Sequence, residues 1–176
     1  MDNSSSRQPE RRSISRPSAM RLSRILVPID FGETMLATLQ YAAAFAKEYK
    51  ATITLLHVVR PDGSEAKCDM TSISVDPVET GERQLRKLVD VIWGEEISTD
   101  IVVATGKPHV QIVNEAKETG ADMIIMGSHG PVGAWGLIRR GTTTKVVRQA
   151  PCPVLVIQPF GHGFAADAAA ERCADR

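Results

Sequence analysis

The chain has 176 residues, of which 43% are hydrophobic and 24% charged, with 21 basic and 21 acidic side chains. That length predicts one domain, with a core of roughly 120–140 residues that can fold without covalent staples. Zero formal net charge points to neither nucleic acid nor an anionic membrane surface as a partner, and no apolar run approaches the roughly 20 residues of a membrane-spanning helix.

Residues 1–23 are rich in Ser, Arg and Pro, without apolar periodicity or the apolar segment of a secretory signal, and read as a disordered basic tail. Order is expected from "RILVPID", where Ile25–Ile29 forms a short strand buried on both faces. A helix is predicted over Glu33–Tyr49, with Leu36, Leu39, Ala43 and Ala46 on its buried stripe. "ATITLLHVV", 51–59, is β-branched and apolar and predicts a second strand. The stretch from Arg60 to Pro77 is long for a loop and is expected to be mobile or a lid. A second helix follows over 78–93, with Leu85, Leu88, Val89 and Ile92 inward.

"ISTDIVVATG" predicts a third strand, and "PHVQIVNEAKETG" a third helix with Pro108 in its first turn and Gly120 as terminator. "ADMIIMG" predicts a fourth strand, 142–149 a last helix, and "PCPVLVIQP" a fifth strand, with 160–176 a loose tail. Strands alternating with helices over 24–159 imply a single doubly wound α/β domain: a five-stranded parallel sheet with helices on both faces, Rossmann-like. Ligands of such sheets lie beyond the carboxyl ends of the strands. The exits to inspect are therefore Pro28–Asp30, His57–Val59, Ala104–Lys107 and Met126–Gly130.

The fourth strand runs into "MGSHG", and the last helix opens at "GTTT". Glycines allow bare amides to approach an anion, and a helix N-terminus presents the positive end of its dipole. Arg139, Arg140 and Lys145 add charge there. The same glycines and threonines also serve a plain strand-to-helix connection, with a Thr cap. Asp30 can accept hydrogen bonds from sugar hydroxyls, bind a metal carried by phosphates, or cap the first helix. His57 reads as a core histidine bonded to a neighbour, His109 as a first-turn residue, and His129 as a residue able to touch an anion in the glycine turn. The four histidines have no metal-ligand spacing, and there is no P-loop, G-x-G-x-x-G or G-x-S-x-G pattern. Cys68, Cys152 and Cys173 form no C-x-x-C, which argues for a reducing cytoplasm, and Cys152, between two prolines, reads as structural.

"RILVPIDFGET", "TLLHVV", "ADMIIMGSHG" and "TTTKVVRQAPCPVLVI", in that order, resemble the universal stress protein family from about Arg24 to Pro159. The resemblance implies an adenine nucleotide alpha-hydrolase-like fold and a homodimer joined along the last strand, Val154–Ile157. For one branch it implies ATP bound without strong hydrolysis, accompanied by Mg²⁺. In that branch Asp30 and the Val58 backbone would meet the nucleoside. A loop of pattern G-x-x-G, nine residues, G-[ST] would hold phosphates and ribose. Gly127 and Gly130 match its first half. Nine residues on, Arg140 replaces the third glycine, and Gly141-Thr142 supplies the dipeptide one residue late. Pro28, Met126, His129 and Thr143 flank these positions and complete the candidate set. A member that binds no nucleotide and acts through its dimer edge is the alternative that Arg140 favours. An ATP-dependent ligase-like enzyme is a third class, against which stand the short chain and the lack of a catalytic motif.

Overall fold

The β-branched and apolar segments form five parallel strands in a computed structural model that describes residues 21–61, 76–128 and 141–158. In chain order they are β1 (Arg24–Ile29), α1 (Met35–Tyr49), β2 (Thr52–Val59), α2 (Pro77–Ile92), a single 3-10 turn at Gly94–Glu96, β3 (Thr99–Thr105), α3 (Pro108–Glu118), β4 (Met123–Gly127), α4 (Thr142–Gln149) and β5 (Val154–Ile157). The sheet order is β3-β2-β1-β4-β5 with every pair parallel. The five strands and four helices stand where the sequence predicts them, within a few residues at their ends. Residues 62–75, where a lid was expected, and the tails 1–20 and 159–176 lie outside the described residues.

Alternation divides the core in two. Ile25, Val27, Ile29, Ile53 and Leu55 pack with Leu39, Ala42 and Ala46 of α1 and Leu85 of α2. Leu26, Leu56, Val58, Ile124 and Met126 pack with Ile112 and Ala116 of α3 and Val146 of α4. Helices therefore cover both faces, as a near-continuous apolar β1 and β2 require. Leu36, expected inward, is 59% exposed. The buried stripe of α1 is Thr38, Leu39, Ala42 and Ala46, and at about 100° per residue Leu36 falls about 60° beyond its Leu39 edge. Leu22, assigned by sequence to the tail, is 4% exposed and belongs to the first cluster.

The amino ends of β1 and β4 are pinned together by one carboxylate. Asp122 Oδ2 accepts from the Ser23 N–H (2.8 Å) and the Arg24 N–H (2.9 Å), while the Asp122 N–H donates to the Arg24 carbonyl (2.9 Å). Asp122→Ala removes an acceptor from two backbone donors and is expected to cost about 1–3 kcal/mol, lowering the thermal midpoint by several degrees in a calorimetric scan.

Candidate functional site

β1 is the strand at which the sheet order reverses, with β2 on one side and β4 on the other, so the crevice beyond β1 and β4 is the ligand position that doubly wound sheets favour. Pro28 opens it. The Arg24 carbonyl accepts from Asp122 and the Ser23 carbonyl from Thr52, so even-numbered residues of β1 turn their backbone groups to β4 and odd-numbered ones to β2. Pro28 has no N–H to give β4. The β1–β4 register is Ile25↔Met123 and Leu26↔Ile124, while β1–β2 continues to Ile29↔His57.

The same parity locates the Val58 backbone. Gly106 N–H donates to the Val59 carbonyl (2.9 Å) and Ile53 N–H to the Ser98 carbonyl, so odd residues of β2 address β3 and Val58 addresses β1. The β1–β2 register ends at Ile29↔His57, so the Val58 carbonyl lies past the last register pair, at the mouth of the crevice. The Val58 and Met126 side chains are buried in the cluster under α3 and α4, and alternation puts Pro28 on that face too.

Gly127 ends β4, and its lack of a side chain has a packing cause. A Cβ there would land on the Thr34 hydroxyl and lie 2.8 Å from Thr34 Cβ and 3.3 Å from Thr38 Oγ1. Thr34 and Thr38 are both buried, and the Thr38 hydroxyl donates to the Thr34 carbonyl (2.8 Å). The Gly127 carbonyl accepts from Thr143 Oγ1 (3.3 Å), tying the first turn of α4 to β4, and the Ser128 N–H donates to the Ile157 carbonyl (2.8 Å). The threonines were expected to cap α4. Instead Gly141 is the N-cap, with no side-chain cap bond, and Thr142 is the first helical residue. Gly141 has φ −68°, and among the described residues nothing lies within 4 Å of where a Cβ would sit, so its backbone angle does not require glycine.

Asp30 does not cap α1, whose N-cap is Thr34. Its Oδ1 accepts from the Gly32 N–H (3.0 Å), a turn in which an aspartate stands in for a backbone acceptor. Phe31 follows with φ +58°, the left-handed region that bulky residues rarely enter. Its ring meets the His57 ring at 5.0 Å. His57, as expected, is a buried and bonded histidine: its Nδ1 lies 2.9 Å from the Ile29 carbonyl. A carbonyl only accepts, so Nδ1 carries the proton.

Sequence reasoning placed His109 in the first turn of α3, where it stands, but gave it no part in the site. Partial burial, then the charges of Lys145 and Lys107, push its pKa below the ordinary histidine value, which favours the neutral ring. Burial, then the Asp122 charge, pushes the Cys152 thiol up, which favours the unreactive thiol over the thiolate. A groove of about 340 Å³ bordered by Ala46, Lys47, Glu96 and Ile97 opens at the opposite, amino end of the strands and touches none of these residues. Among the described residues there is no group of three or more His, Cys, Asp or Glu able to hold a metal, and no helix long and apolar enough to cross a membrane. His129, Gly130 and Arg140 lie outside the described residues; of the candidates, Pro28, Asp30, Val58, Met126, Gly127, Gly141, Thr142 and Thr143 are described at the carboxyl end of the sheet.

The profile of the universal stress protein family matches residues 22–158. The chain belongs to the universal stress protein family. Universal stress protein MJ0531 of Methanocaldococcus jannaschii is 30% identical over 151 residues, covering 83% of this chain and 88% of that one. MJ0577 of the same organism is 30% identical over 153 residues, covering 77% and 94%. The solved structure of MJ0577 superposes with a TM-score of 0.64 over 81% of this chain and all of that one, at 25% identity. The structure of the universal stress protein from Archaeoglobus fulgidus in complex with dAMP shares the fold, with a TM-score of 0.53 at 22% identity over 78% of this chain and 99% of that one.

In this universal stress protein, Gly127→Ala is expected to destabilise by about 1–3 kcal/mol through overpacking. Adding Thr34→Ala, which removes the hydroxyl in the way, should recover part of the loss in the same thermal melts. Equal stability of wild type and Gly127→Ala would contradict the packing account.

Proposed function

We propose that the protein is a cytoplasmic stress-response or signalling protein that binds ATP in the crevice between β1 and β4 and turns it over slowly at most. The observation that supports this reading is that the β1–β4 register ends at Leu26, just before Pro28, so that Asp30, the end of β2 at Val58 and the first turn of α4 all stand at the carboxyl end of the sheet. Asp30 would accept from the sugar and the Val58 backbone would meet the base. Phosphates would lie between the end of β4 and the start of α4, where helix amides and the Lys145 charge favour an anion. Gly127, Gly130, Gly141, Thr142 and Thr143 would line that part, with Met126 beneath and His129 beside it. Mg²⁺ would be carried by the phosphates, since the described residues offer no carboxylate cluster of their own. The dAMP complex of the Archaeoglobus fulgidus protein adds an adenine nucleotide on the same fold. No nucleophile constellation stands in the sequence, which supports binding rather than catalysis.

Arg140 favours the second reading, an interaction protein that holds no nucleotide. An arginine beside a phosphate is either an obstruction or a bidentate donor. Isothermal titration of the wild type with Mg-ATP, beside the Arg140→Gly, Gly141→Ser double variant, separates the two. Tight binding by the wild type is expected; binding by the double variant alone would sink the first reading. Either way a homodimer is proposed along β5, an edge strand whose Val154, Leu155 and Val156 are only partly buried. Such an edge offers a row of unpaired backbone groups to a second copy. Val156, which packs in neither core cluster, is the residue to change: Val156→Asp is expected to convert dimer to monomer in light scattering without unfolding the chain, and an unchanged mass would rule out this edge.

A further inference from the structure

His57 is 8% exposed and sits on the face opposite most of the candidate contacts, yet it reaches them from behind. Its Nδ1–H donates to the carbonyl of Ile29, the residue before Asp30 (2.9 Å). Its ring lies 5.0 Å from that of Phe31, the residue after Asp30. Val58 is its own neighbour along β2. On the far side α2 presses against it: a Cβ on Gly81 would come within 3.0 Å of His57 Cδ2 and 3.4 Å of Val103 Cγ1. The ring is wedged between α2 and the turn that carries Asp30. Phe31 holds φ +58°, a conformation that a bulky residue keeps only where its surroundings over-determine it. The His57 ring and the Ile29 hydrogen bond are two such determinants, and the Asp30–Gly32 hydrogen bond (3.0 Å) is a third.

We propose that His57 is a positioning residue of the nucleotide site. It holds the β1–α1 turn against β2, so that the Asp30 carboxylate and the Val58 backbone address the same nucleoside. This rests on the nucleotide reading above. A histidine that only filled the core would be replaceable by any ring of its size. One that positions the turn needs its Nδ1 donor.

The test uses three variants of the full chain. His57→Phe keeps a ring against Phe31 and Gly81 but removes the donor. His57→Asn places an amide N–H where Nδ1 stands. Asp30→Ala removes the group being positioned. The first readout is amide hydrogen exchange at Gly32 without ligand, because that N–H is bonded to Asp30 and reports the turn itself. The second is affinity for Mg-ATP and for adenosine by calorimetry. His57→Phe is expected to speed Gly32 exchange about tenfold and to weaken ATP and adenosine by the same factor, about five- to tenfold, as loss of one buried hydrogen bond implies. His57→Asn should stay within about twofold of wild type. In the Asp30→Ala background, His57→Phe should weaken binding no further.

Unchanged Gly32 exchange in His57→Phe overturns the proposal, as does an affinity loss that persists undiminished without Asp30. If the wild type binds and His57→Phe binds equally well, this proposal alone falls; if the wild type binds neither ligand, the nucleotide reading falls and takes it along. Should His57→Phe fail to fold, Phe31→Ala breaks the ring contact from the exposed side and must produce the same acceleration at Gly32.

Discussion

A proline stands in the central strand of this sheet, and the site depends on where its missing N–H points. Prolines in parallel sheets are normally confined to edges because they break a ladder. Pro28 turns its nitrogen toward β4, after the β1–β4 register at Ile25 and Leu26, while its neighbours Val27 and Ile29 keep β1 paired with β2. The loss falls at the one place where the strand order reverses. Right-handed crossovers then settle everything around it. The chain moves from β1 through β2 to β3 in one direction, which puts α1 and α2 on one face; it returns to β4 and β5 in the other, which puts α3 and α4 on the opposite face.

The two faces contribute different things at the crevice. The α3/α4 side supplies the buried floor, with Val58 and Met126 in its cluster, and the start of α4. The α1/α2 side supplies the supports: Thr34 and Thr38 close against Gly127, and His57 behind the Asp30 turn. Gly127 shows how a motif residue answers to both. Its absent side chain is demanded by α1, and its carbonyl receives Thr143 from α4. A glycine chosen for phosphate and a glycine chosen for packing look the same in a sequence.

Hydrophobic pattern and turn chemistry made the elements legible. Ile25–Ile29 and 51–59 are too short and too β-branched to be helices, Pro108 opens α3, and the bracketing prolines isolate β5. Errors came where a side chain's partner is remote. Leu36 fits the helical period but sits on the outward side of α1, Leu22 joins the first core cluster ahead of β1, and Thr143 of "GTTT" turns to the Gly127 carbonyl rather than capping its own helix. The role of Asp30 was split between a cap and a ligand contact, and α1 starting at Met35 behind Thr34 removes the cap.

By itself the sequence determined the alternation of strands and helices, the family, and the four strand exits where a ligand can meet the chain, because period, punctuation and motif order are local properties of a chain. Only the tertiary structure decided which exits face one another. That depends on strand order, on the parity of backbone groups along β1 and β2, and on which face each helix covers, none of which a local pattern encodes. It also decided that Gly127 belongs to α1 as much as to a loop, and that a histidine at the end of β2 bears on the aspartate turn at the end of β1 through a hydrogen bond to Ile29, 28 positions away in the chain.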